Sequence, residues 1–208
     1  FFASNIIYED FESGGLETFT TQGEAGSDLF QNGNTATASS QFWIIEPTNT
    51  GQIAYTNDDA CDCDKSNDLL TSSTFSLAGI TGNVFLEFDH AFSAETYEIA
   101  EVLINTGGGW NNLTSLTNTS INNNNTLTTP WVVGNQILLT PYVGQNNVQI
   151  RFTYNDAGNF IDGKLKEVDI IKNAESVYYL RNSENELIGI DKSKSAKIKI
   201  LISDQNID

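Results

Sequence analysis

Alternation is what most limits the fold of this chain. Asn147-Val-Gln-Ile-Arg-Phe-Thr-Tyr154 sets Val148, Ile150, Phe152 and Tyr154 on one face and polar side chains on the other, the period of a half-buried antiparallel strand. Val84 to His90 alternates in its second half, and Glu98 to Asn105 does so with one slip. Shorter strands are expected at residues 6–12, 41–45 and 165–171, and Ile53-Ala-Tyr55 leads into an acidic loop. Ser13-Gly14-Gly15, Thr106-Gly-Gly-Gly109 and Pro141-Tyr-Val-Gly144 break the chain between them. Asn32-Gly33 reads as a hairpin turn, and residues 111–129, dominated by Asn, Thr and Leu, read as a loose excursion. With no helical stretch, short strands and polar turns predict an all-β fold of two packed sheets. Val177–Leu180, Glu186–Ile190 and Lys197–Ile202 add a small C-terminal β extension.

Charge narrows the partners. The 208 residues carry 10 Lys and Arg against 27 Asp and Glu, a net charge of −17, which repels nucleic acid and anionic lipid. Neither nucleic-acid binding nor membrane insertion is therefore expected, and no long apolar run is present. Twelve Phe, seven Tyr and three Trp supply a core, which argues against disorder. Residues 1–173 hold a net −16 and residues 174–208 only −1, so a boundary is expected near Asn173. The second stretch is either extra strands or the start of a following module. With no Met and no recognisable signal peptide at the start, the sequence reads as a mature or trimmed fragment, and a larger multidomain protein is the expected parent.

The acids crowd one segment, Tyr55-Thr-Asn-Asp-Asp-Ala-Cys-Asp-Cys-Asp-Lys-Ser-Asn-Asp-Leu-Leu70, where Lys65 alone offsets five aspartates. Like charges about 4 Å apart repel by roughly 1 kcal/mol even in water, so the segment needs a counter-ion or wide exposure. Ca²⁺, which takes six to eight oxygen ligands, is one answer; a solvated acidic loop is the other. The spacing is not that of a helix–loop–helix calcium hand, because the central Gly is missing. Cys61 and Cys63 are separated by one residue, about 6 to 7 Å between Cα atoms in an extended chain. A loop disulfide leads over two free thiols, and zinc comes last because His90 is the single histidine.

Taken together, Tyr8–Glu12, Tyr55–Leu70, Val84–Asp89, Tyr97–Asn105 and Thr140–Asp156 through Glu167-Val168 resemble the cleaved-adhesin or "choice-of-anchor J" jelly-roll domains of Bacteroidetes surface proteins, distant relatives of MAM domains. The likeness spans roughly residues 6–172, and the acidic cysteine segment is its most specific piece. It implies a jelly-roll β-sandwich, export to the cell exterior or surface, and structural Ca²⁺. Asp10 and Glu12 match the family's N-terminal carboxylates, and Lys166-Glu167-Val168 stands where the family has Asp-Asp-Val, so Lys166 replaces one ligand. Asp58 and Asp59 are candidates for the remaining oxygens, with Asp68 in reserve. Chelation is expected to lower stability by linkage.

The resemblance points to a non-catalytic binding or adhesion module with an extracellular protein or glycan as its ligand. A catalytic triad would have to use His90, which follows Phe88-Asp89 in an alternating strand, and no His-Glu-x-x-His occurs. A carbohydrate-binding module appended to an exported hydrolase is the alternative, with Trp43, Trp110, Trp131 and Tyr142 as stacking candidates. A carboxylate-pair hydrolase using Glu87 with Glu98 or Glu101 ranks below both.

Overall fold

A computed structural model describes residues 6–41, 43–47, 51–61, 63–94, 97–123, 126–156, 167–181, 187–203 and 206–207. For residues 122, 123 and 126, and from 167 onward, the description is of the backbone. The chain divides into two compact units, Phe1–Phe160 and Ile161–Asp208. In the first, strands β1 (Phe19–Gln22), β2 (Gln31–Gly33), β3 (Trp43–Ile45), β4 (Ile53–Tyr55), β5 (Asp68–Ser72) and β6 (Phe85–His90) precede β7 (Ile99–Asn105) and β8 (Trp110–Ser115). There follow β9 (Ile121–Asn123), β10 (Thr126–Thr129), β11 (Val132–Leu138) and β12 (Gln149–Asn155). Two single-turn helices interrupt the strands, α1 (Thr35–Ala38) and α2 (Asp58–Cys61). The second unit holds β13 (Glu167–Arg181), β14 (Leu187–Ser203) and β15 (Asn206–Ile207), paired in that order. The chain is thus predominantly β, and among the described residues no helix is long and apolar enough to cross a membrane.

The main sheet runs β1-β5-β12-β7-β8, antiparallel throughout. Its register aligns Ile150 with Ile104, Phe152 with Val102 and Tyr154 with Ala100. One face therefore becomes continuously apolar, since residues directly opposite on antiparallel strands share a side. The slip in the β7 pattern resolves in favour of Ala100, Val102 and Ile104, all buried, while Ile99 is left exposed. β6 pairs with β11, and its Leu86 and Phe88, together with Ile137 of β11, pack on the core of Leu77, Val84, Val102, Ile104, Leu139, Val148 and Ile150. A second cluster of Ala38, Ile45 and Ile53 lies under Trp43, Tyr55 and Trp131.

Three local expectations are corrected. Residues 6–12 form no strand: Glu9 instead accepts the backbone N–H groups of Phe11 (2.9 Å) and Thr18 (3.2 Å), holding the segment in turns. Asn32-Gly33 does not turn the chain but lies in β2 beside β4, where a Cβ on Gly33 would meet the Tyr55 ring at 3.0 Å. The turn signal is a close-packing glycine. Within 111–129, β8, β9 and β10 recruit the Asn and Thr residues into ladders, β8 onto β7 and β10 between β3 and β9.

Candidate functional site

The acidic segment is organised by a cation of its own. Lys65 is fully buried, its ammonium paired with Asp28 and, at 3.2 Å, with the equally buried Asp68. Asp68 Oδ1 accepts the Ser27 hydroxyl (2.8 Å), and Oδ2 accepts the Thr56 hydroxyl (2.7 Å) beside the Lys65 ammonium. The Lys65 backbone N–H donates to Asp156 Oδ2 at 2.8 Å, and Ser66 Oγ reaches Asp156 Oδ1 at 3.1 Å. Gly23 closes the pocket, because a Cβ there would run into the Asp68 carboxylate and Leu29. A buried charge survives only with paired charges and full hydrogen bonding, and this arrangement supplies both.

Cys61 and Cys63 are joined as a disulfide with Cα atoms 5.1 Å apart. The separation is shorter than in an extended chain because α2 ends at Cys61 and curls the backbone. Asn57 accepts the Ala60 N–H at 3.1 Å, and Asp58 and Asp59 occupy the first turn, where carboxylates complement unsatisfied N–H groups.

The other sequence-derived candidates, where described, have separate partners. Asp10 is exposed and accepts the Glu12 N–H (3.1 Å); Glu12, also exposed, accepts the Gln52 N–H (2.8 Å). Asp58 and Asp59 stay with α2, and Asp68 is engaged by Lys65. Glu167 lies in β13 of the second unit, its side chain outside the described residues, so its meeting with Asp10 and Glu12 is outside them too. Among the described residues, the one set of three or more metal-capable side chains is Asp28, Cys61 and Cys63. That set does not fit a divalent ion: both sulfurs are spent in the disulfide and Asp28 already faces an ammonium. Asp10, Glu12, Asp58, Asp59 and Asp68 make no such set.

What sequence reasoning missed is a cleft of about 380 Å³ between the inner face of the main sheet and β6, reaching the second apolar cluster. Its walls include Phe19, Phe88, Phe152, Trp43 and Trp131, and Phe88 meets Phe152 edge-on at 5.2 Å. Both indole N–H groups are committed to the protein, Trp43 to Thr129 Oγ1 (2.7 Å) and Trp131 to the Glu46 carbonyl (3.0 Å), which presents their apolar surfaces to the cleft. Asp58, Asp59 and Glu98 stand in the lining together with the buried Tyr154, whose hydroxyl donates to Asp58. Burial, then Asp58, Glu98 and Asp156, push the Tyr154 phenol far up, so it stays a protonated donor. His90, on the inward face of β6, has its imidazole pushed down by burial, with Asp89 opposing. Its Nδ1 is buried and makes no hydrogen bond, unlike the carboxylate-oriented imidazole of a triad. Among the described residues, none of those lining this space is a Lys or Arg.

The stacking candidates divide. Trp43 and Trp131 belong to the cleft, Tyr142 packs on the main core, and Trp110 lies under the Arg151 guanidinium, 3.8 Å from its ring centroid. Glu87 and Glu98 both border the cleft; Glu101 is bonded to Asn112 instead. Comparison with protein-family models, with curated proteins and with solved structures finds no match.

Proposed function

We propose that the chain is a non-catalytic binding module of an exported bacterial protein, a jelly-roll β-sandwich of the cleaved-adhesin type whose ligand sits in the aromatic cleft. The observation that carries this reading is the cleft itself: a concave, largely apolar space of drug-ligand size with polar groups among its lining, the general form of a small-molecule site. Among the described residues, the unpartnered His90 Nδ1 and the oxidised cysteines leave no activated nucleophile beside it, which favours binding over turnover. A sugar platform is less well supported, because the Trp110 face is already taken by Arg151. Calcium has no derived role in this proposal; of the sequence-derived candidates, Asp68 pairs with Lys65, and Asp10 and Glu12 accept backbone N–H groups.

The test is titration with the uncharged hydrophobic dye N-phenyl-1-naphthylamine, in wild type and in Ala54→Trp, which fills the cleft wall. Saturable binding with about one site, abolished by the substitution while the melting curve is kept, is the expected result. No saturable binding to the wild type, or equal binding to both, removes the cleft as the ligand site. Turnover on a polysaccharide or peptide panel, lost on Glu98→Gln, would remove the non-catalytic reading.

A further inference from the structure

We infer that the outer face of the main sheet carries a second binding site, for an acidic sugar of the uronate kind, with Arg151 taking its carboxylate and Glu101 its hydroxyls. Strand alternation turns Arg151 of β12, and Glu101 and Leu103 of β7, away from the core that Ile150, Val102 and Ile104 fill. Together with Leu69, Thr153 and Trp110 they line a groove of about 260 Å³. The guanidinium lies over Trp110, 3.8 Å from its ring centroid, and Nε donates to Thr71 Oγ1 at 2.8 Å. Stacking and that one bond fix the planar fork and leave its two Nη groups for another partner.

An internal partner stands close by and is withheld. Glu101 is diagonal to Arg151 in the β7–β12 register, within reach of so long a side chain. It turns instead to β8, accepting from Asn112 Nδ2 and from Ser115 Oγ (3.4 Å), and the ion pairs of the described residues both belong to Lys65. Residues 1–160 contain two Lys or Arg side chains, and with Lys65 fully buried Arg151 is the one a solute reaches. A planar fork takes a carboxylate through two parallel N–H bonds. Glu101 sets the other requirement: both of its bonds use Oε1, so Oε2 accepts from hydroxyls and repels a second anion. The ligand that suits both carries one carboxylate and several hydroxyls on a small frame, with the carbons of Leu69 and Leu103 under its C–H face. The indole backs the guanidinium and is not itself the sugar platform.

Amide-shift NMR titration of the full chain with three matched probes decides the matter: methyl α-D-galactosiduronate, its uncharged methyl ester, and cyclohexanecarboxylate, which keeps the ring and the charge without hydroxyls. The uronate should bind about tenfold more tightly than either of the others, with the shifts centred on β7 and β12. Arg151→Gln should remove its advantage over the ester, and Arg151→Lys, which keeps a charge but not the fork, should remove most of it. An ester as tight as the acid overturns the role of the guanidinium, cyclohexanecarboxylate as tight as the uronate overturns the sugar class, and silence from all three overturns the site. These comparisons on the wild type hold whether or not the variants fold. Ala54→Trp, which fills the aromatic cleft, should leave uronate binding unchanged. Loss of binding there would assign the sugar to the cleft and overturn the second site, so failure here and failure of the cleft reading are told apart.

Discussion

Lys65 concentrates the electrostatic risk of the chain in one atom. Its ammonium is the sole cation inside a buried set containing Asp68, so Lys65→Met leaves a carboxylate uncompensated in the interior. Breaking such a pair from one side costs about 3–5 kcal/mol, and we expect Lys65→Met to lower the urea midpoint accordingly, with Lys65→Met/Asp68→Asn recovering much of the loss. A variant as stable as wild type would show that the ammonium is not what balances Asp68. His90 provides a pH test. Its folded value lies below the ordinary 6.5, so the folded chain refuses a proton that the unfolded chain accepts. The stability it contributes is present above 6.5 and is lost as pH falls toward the folded value. Denaturation midpoints measured from about pH 7.5 to 5.5 should fall in wild type, and part of that slope should vanish in His90→Gln; parallel slopes would refute the assignment. The acidity around Lys65 was legible in the sequence, but its cage was not. Asp28 lies 37 positions before it and Asp156 lies 91 after it, and no local pattern brings them together.

Strands were legible where one face is buried and the other wet. β12 reads directly from its alternation, and β7 becomes clear once Ala100, small enough to hide in a pattern count, is assigned inward beside Tyr154. We expect Ile104→Ala, fully buried in β7, to cost about 2–5 kcal/mol, and Ile99→Ala, 49% exposed on the same strand, to stay within about 0.5 kcal/mol. Similar losses at both positions would mean that the strand is rotated or frayed. β8 to β10 escaped notice because their Asn residues are disfavoured in strands and mask the strand preference of Thr, and pairing with β7 and β3 overrides it. The Cys61–Cys63 bridge encloses a single intervening residue, so chain-entropy reasoning assigns it no more than about 1.5 kcal/mol. Cys61→Ser/Cys63→Ser should therefore fold, with a correspondingly small shift in midpoint; complete unfolding would mark the bridge as essential to α2.

For the whole molecule, the all-β character and the acidity were readable from patterning and composition, whereas the cleft was not. A void is a property of how sheets are spaced, and Phe19, Trp43 and Phe152 look like ordinary core residues until the gap between them is seen. The net −17 leads to a distinction between screening and chelation. Adding NaCl should raise the melting temperature by about 2–4 °C by relieving self-repulsion, while EDTA at constant ionic strength should leave it unchanged, since Lys65 already pairs with Asp28 and the buried Asp68. A drop with EDTA, reversed by Ca²⁺, would instead place an ion among carboxylates such as Asp10, Glu12 and Glu167. The scarcity of fixed cations in the first unit has a practical corollary. A protease that cuts after lysine or arginine finds eight of its ten targets beyond residue 160, and its two earlier ones are the caged Lys65 and Arg151 in the middle of β12. Brief trypsin digestion should therefore trim the C-terminal unit to fragments and release the first unit whole.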